Sequence, residues 1–170
     1  MWTEEIKAES SLFAINFREI WHYRDLLFML VKRDFITFYK QTILGPLWFI
    51  VQPLLTTLIF VILFGNIAKL STDGIPQLAF YLAGITIWNY FSESLTKTST
   101  VFKDNANVFG KVYFPRLIMP LSIVTSGLLK FAVQFSLFIV VVLYYFFKGS
   151  VQPNWWVLLT PVLVFLMALF

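Results

Sequence analysis

The 170-residue chain holds 59% hydrophobic and 19% aromatic residues against 13% charged ones, with a mean hydropathy of +0.78 and a net charge of +4. These values exclude an ordinary soluble domain and read as an integral membrane protein. The absence of cysteine excludes disulfides, iron–sulfur clusters and thiol catalysis while leaving the compartment open.

Residues 1–46 read as a cytoplasmic N-terminal segment. They do not form a signal peptide, because Glu4, Glu5, Lys7 and Glu9 interrupt the start and the first long apolar run comes only after Pro46. Within the segment, Trp21 to Lys40 follows a helical period. Tyr23, Leu27, Leu30, Val31 and Phe38 share one side and His22, Asp25, Lys32, Arg33 and Lys40 the other. The basic face predicts an amphipathic helix lying along the membrane interface near anionic headgroups; the alternative is a soluble helix packed on a partner. His22, the single histidine, has no nearby carboxylate or cysteine ligands and reads as an interfacial side chain, so no metal site is expected.

The junction Lys40-Gln41-Thr42-Ile43-Leu44-Gly45-Pro46-Leu47-Trp48 leads into an apolar run ending at Ala68. As a helix, residues 47–68 would measure about 33 Å, enough for a hydrocarbon core of roughly 30 Å. Pro53 inside this run removes one backbone hydrogen bond and predicts a kink whose freed group faces protein or a wet cavity; Gln52 points the same way.

The second apolar stretch, 77–100, is the least lipid-like. Thr86, Asn89, Glu93, Thr96 and Thr100 recur at steps of three and four, forming a polar stripe opposite Leu82, Ile85, Phe91 and Leu95. The stripe either lines a polar route or supplies helix–helix hydrogen bonds. An intramembrane carboxylate such as Glu93 calls for a partner, and Lys97 or Lys130 could serve.

The connecting loop, 103–116, contains Asp104 or Asn105 as a cap for a short helix and Gly110 as its end, which would leave Val108 and Phe109 exposed to a partner or to the headgroups. The third stretch, 117–147, would reach about 46 Å as a helix, so part of it tilts or protrudes, and Lys130 snorkels or forms an ion pair. The fourth, 155–170, reaches only about 24 Å, short of the membrane core, and stops without a charged anchor, which predicts that the chain is truncated. Lys7, Arg18, Arg24, Lys32, Arg33 and Lys40 precede the first span, and Lys97, Lys103, Lys111 and Arg116 surround the loop. The positive-inside rule therefore puts the N-terminus and residues 103–116 in the cytoplasm and residues 66–75 and 149–154 outside, with Tyr144, Tyr145, Trp155 and Trp156 as anchors at the outer turn. The fold class that follows is an all-α, multi-pass transmembrane helical bundle with an N-terminal amphipathic interfacial helix.

Arg33-Asp34, the junction from Tyr39 to Trp48, Gln52-Pro53-Leu54, Phe64-Gly65, Leu82-Ala83-Gly84, Trp88-Asn89 with Phe91, Asn105-Ala106-Asn107 and Lys111-Val112-Tyr113-Phe114-Pro115-Arg116 occur here in order. As a set, covering about Trp21 to Phe147, they resemble the permease subunit of bacterial polysaccharide ABC exporters, the Wzm-like O-antigen permeases. The resemblance implies a type-2 ABC exporter permease in the bacterial inner membrane, a homodimer of six-span subunits, each docked on a separate cytoplasmic ATPase subunit, with the last two C-terminal spans missing beyond Phe170. It also implies that Asn105, Ala106, Asn107, Val108, Phe109, Gly110 and Lys111 form the coupling helix contacting that partner.

No phosphate-cradling loop is encoded: Gly110-Lys111 is followed by Val112 and lacks a glycine five positions earlier. The chain is therefore expected to be no enzyme, with no catalytic residue and no cofactor of its own; ATP and magnesium belong to the partner. A lipid-linked polysaccharide needs aromatic faces for sugar C–H surfaces and polar groups for hydroxyls. Trp48, Phe49, Gln52, Phe60 and Phe64, with Trp88 and Asn89, are the candidate channel lining, although most phenylalanines in such a chain face lipid or pack between helices. Glu93, Lys97 and Lys130 are read as structural polar residues. The expected partners are thus the ATPase subunit, a second permease, the lipid-linked glycan and membrane lipids, and no nucleic acid. A membrane-embedded glycosyl- or acyltransferase would need an acid, base or nucleophile near the interface, where the outer connections offer mainly Asp73. A secondary transporter would need ionisable relays, for which Glu93 and Lys130 are candidates, and internal repeats, of which none is visible.

Overall fold

The computed structural model describes residues 17–41, 45–109, 114–149 and 159–168, and every regular element among them is helical. The fold is all-α. Helices α1 (Phe17–His22) and α2 (Arg24–Gln41) meet at Tyr23, and α3 (Trp48–Phe60) continues as a π-helix over Val61–Ile67. They are followed by α4 (Gln77–Asp104), the one-turn α5 (Ala106–Phe109), α6 (Ile118–Phe147) and α7 (Thr160–Ala168). Two continuous helical segments, Trp48–Ile67 and Ile118–Phe147, are long and apolar enough to cross a membrane, each with a mean hydropathy of 2.1. The 28-residue α4 is long enough as well, but its polar stripe dilutes its hydropathy.

The amphipathic reading of α2 has a direct counterpart in packing. Leu30 and Val31 are buried and Tyr23 and Leu27 partly so, while Lys32 and Arg33 are exposed. Asp25 in the first turn and Lys40 in the last complement the helix dipole. The buried side joins Val101 of α4 with Phe114, Ile118 and Met119 at the start of α6, making one apolar cluster where three helices meet. Trp21, Phe28 and Met29 remain exposed on the other sides.

In α3, Phe49, Pro53 and Thr57 fall on one face at steps of four, and all three are buried. Pro53 thus faces protein, as the missing N–H requires. The Thr57 hydroxyl donates to the Pro53 carbonyl at 2.7 Å and the Thr56 hydroxyl to the Gln52 carbonyl at 3.1 Å. Beyond Phe60 the helix widens, and the Ala68 N–H reaches back five residues to the Leu63 carbonyl at 2.9 Å. Lys69 then adopts a left-handed conformation (φ 52°), letting the Leu70 N–H bond to the Phe64 carbonyl. Gly65, buried in the widened stretch, has the Gln77 carboxamide where a Cβ would sit, so this glycine allows α3 to close on the start of α4.

The principal helix pair is α4 with α6. Leu82, Ile85, Thr86 and Tyr90 are buried on α4, and Ile118, Met119, Ser122, Ser126 and Phe131 on α6. The two helices pack tightly at Gly127, where a Cβ would lie 3.1 Å from the Ser94 hydroxyl and 3.2 Å from the Tyr90 ring. Small residues at the crossing are the usual means of bringing membrane helices together. Val164 of α7 closes against Tyr90 and Phe131.

Two expectations need correction. Phe109 is not left open to a partner: it is half-buried, with its ring 5.2 Å from Phe114 and 5.5 Å from Phe102, and it packs against the three-helix cluster. A large aromatic beside an existing apolar cluster stays out of water by folding onto it. The threonines of the α4 stripe do not bond across helices either. Thr86 donates to the Leu82 carbonyl at 2.8 Å, Thr96 to Ser92 at 2.7 Å and Thr100 to Thr96 at 3.4 Å, all within α4, because an i−4 carbonyl is the nearest acceptor to a helical threonine.

Candidate functional site

Glu93 stands on the polar side of α4, and its Oε1 accepts from both candidate partners. Lys97, one turn on, donates at 2.6 Å, and Lys130 of α6 donates at 2.5 Å. The sequence left the choice between them open; the structure uses both. Lys130 keeps only 17% of its side chain exposed, against 38% for Glu93 and 55% for Lys97, so the link between α4 and α6 is the better shielded of the two. The Lys130 ammonium also lies 5.9 Å from the centre of the Phe49 ring, bringing α3 into the same node.

Two cavities, each about 400 Å³, share these three charged groups. One is a groove bordered by Phe49 and Gln52 from α3, Asn89, Ser92 and Thr96 from α4, and Gln134 from α6. It combines an aromatic ring with amides and hydroxyls, a lining suited to a hydroxylated solute or to water. The other lies toward α2 and is bordered by Arg33, Asp34, Phe35, Thr37, Ser94, Ile123, Ser126 and Gly127. Here the Arg33 guanidinium bonds to the neighbouring Asp34 carboxylate at 2.9 and 3.0 Å.

Of the seven candidate channel residues, Phe49, Gln52 and Asn89 come together in the first groove. Phe49 is nonetheless buried, stacked 5.9 Å from Phe35 of α2. Phe60 and Phe64 form a separate aromatic cluster with Tyr81, at centroid distances of 5.4 to 6.4 Å. Trp88 is exposed beside Phe91, away from both groups, and Trp48 borders neither cavity. Of the candidate coupling residues, Asn105 closes the end of α4, its side-chain amide donating to the Val101 carbonyl at 2.9 Å. Ala106 and Asn107 are exposed on α5, and Val108 lies within α5; Gly110 and Lys111 lie outside the described residues.

Residues 25–170 match the ABC-2 type transporter membrane family. The chain belongs to that family. This ABC-2 chain is 32% identical over 154 residues to the O-antigen export system permease protein RfbA of Myxococcus xanthus, an alignment covering 90% of the chain and 56% of the relative. It is 30% identical over 132 residues to a protein of the same name from Klebsiella pneumoniae, covering 77% of the chain and 50% of the relative. The ABC-2 chain therefore spans about half the length of the curated relatives it matches. The described lining residues of both polar cavities fall between Arg33 and Gln134.

Sequence reasoning missed Tyr81, Ser92, Gln134 and the placement of Arg33-Asp34 against α6. Gln134 carried a signal, being an amide one turn beyond Lys130 in an otherwise apolar run. Tyr81 sits eight residues before Asn89 on α4, but nothing local distinguishes it from an interfacial tyrosine.

Proposed function

We propose that the chain is part of the permease subunit of an ATP-driven exporter that moves a lipid-linked polysaccharide, an O-antigen or related surface glycan, across the bacterial inner membrane. The observation that carries this reading is the mixed aromatic and polar groove of Phe49, Gln52, Asn89, Thr96 and Gln134, set among apolar helices in a member of the ABC-2 family. Relatives named as O-antigen export permeases support the choice of cargo. In this reading the N-terminus and the α4–α6 connection are cytoplasmic and two copies form the conducting unit. A separate subunit binds ATP and magnesium. The α5 turn receives its motion, which reaches α2 and α6 through Phe109 and Phe114, and the helices shift around the Glu93 node to change the width of the route.

Affinity purification of the tagged full-length permease from its native host tests the reading. An ATPase subunit should accompany it in stoichiometric amount, and deletion of the permease gene should leave the lipid-linked glycan inside the cell. Glycan export by the purified permease alone, without nucleotide or a second polypeptide, would overturn it.

A further inference from the structure

The cavity facing α2 shares Glu93, Lys97 and Lys130 with the groove and adds Arg33, Asp34, Ser94 and Ser126 to them. Among the described lining residues, Arg33, Lys97 and Lys130 supply three positive charges and Asp34 and Glu93 two negative ones, a surplus of one positive charge in a space bordered by three helices. Ser126 on its wall is 8% exposed, and its hydroxyl is buried with no hydrogen-bond partner; Ser94, beside Tyr90, lines the opposite side. An orphan hydroxyl inside a polar cavity is ordinarily satisfied by water or a ligand. An ammonium carries three donors, so a carboxylate that takes one from Lys97 leaves it able to bond a second acceptor.

We propose that this cavity binds the phosphodiester headgroup of an anionic membrane phospholipid. A phosphodiester carries a single negative charge, equal to that surplus, and its oxygens accept from ammonium groups and from the Ser126 hydroxyl. A volume of about 400 Å³ accommodates such a headgroup. The lipid source follows from the surroundings. The cavity is bordered by α2, whose cationic side chains match an anionic membrane surface, and by α6, which is long and apolar enough to cross a membrane among acyl chains. The Glu93 carboxylate opposes an anion, and the two lysines bonded to it are what make the site tolerant of one. The proposal concerns a lipid held by the protein and does not depend on what the permease exports.

Native mass spectrometry of delipidated full-length permease, offered phosphatidylglycerol, phosphatidylcholine or inorganic phosphate in separate samples, tests it. Phosphatidylglycerol should be retained in preference to phosphatidylcholine. Ser126→Ala and, separately, the rim variant Lys97→Gln should each weaken retention by roughly tenfold, the value of one hydrogen bond to a charged group. Lys103→Gln, at a lysine outside the cavity lining, should leave it unchanged. Equal retention of the two lipids, retention indifferent to both cavity variants, or inorganic phosphate binding as tightly as phosphatidylglycerol would each overturn the proposal. Unfolding midpoints measured on the same samples separate loss of the site from loss of the fold.

Discussion

Glu93 accepts from two lysines through one oxygen, and the two bonds differ in worth because their surroundings differ. Exposed pairs contribute about 0–1 kcal/mol, whereas removing one member of a buried pair costs about 3–5 kcal/mol. Lys97 is more than half exposed and Lys130 largely shielded, so Lys97→Gln should cost under about 1 kcal/mol and Lys130→Gln about 1–3 kcal/mol. Glu93→Gln should cost at least as much as Lys130→Gln, since it leaves two ammonium groups facing each other with no anion between them. Denaturant unfolding of the three full-length variants in one detergent checks the order; equal losses for the two lysines would show that shielding does not govern the node. The sequence made this site half legible. A carboxylate in an apolar helix demands a cation, and two stood at plausible distances, but the double acceptance depends on α6 packing against α4 so that Lys130 reaches Glu93, a long-range fact with no local signature.

At the scale of elements, the short α5 turn shows how burial reverses the obvious experiment. Phe109 belongs to the cluster that joins α2, α4 and α6, so Phe109→Asp would place a charge among Phe102, Phe114 and their neighbours and disturb the fold along with any docking. The cleaner probe is Asn107, exposed on the same turn. Asn107→Arg should weaken association with an ATPase subunit while moving the unfolding midpoint by no more than about 0.5 kcal/mol equivalent. Phe109→Ala should destabilise by about 1–3 kcal/mol, a fraction of the loss for a fully buried aromatic. Pull-down and unfolding on the same two variants separate the effects, and undiminished association in Asn107→Arg would remove that residue from the docking surface. The helical period of α2 was visible in the order of side chains, and so was a short turn near Asn105; the stripe of α4 was visible only in part, since Thr86 is buried on the same side as Leu82 and Ile85. The π-helix after Phe60 was not visible, because Val61 to Ile67 has the composition of any apolar helix.

For the molecule as a whole, the decisive quantity is whether the groove beside Glu93 is wet when the helices sit in a bilayer. Amides and hydroxyls from three helices border it, and the threonine hydroxyls of α4 bond within their own helix, so the remaining polar capacity of Gln52, Asn89 and Gln134 faces the groove. Amides held in a membrane without partners are costly, which favours water there over acyl chain. The segment's lack of cysteine makes this measurable, since single cysteines can be introduced against a silent background once any in the remainder of the protein are replaced. Asn89→Cys and Thr96→Cys on the groove, and Leu95→Cys on the exposed apolar side of α4, place three probes on one helix within two turns. In reconstituted vesicles a water-soluble maleimide should label the first two at least about tenfold faster than the third, because the reactive thiolate forms only where water reaches the sulfur. Equal protection of all three would mean a dry groove, leaving Glu93 and its lysines as a structural clasp with no polar route beside them.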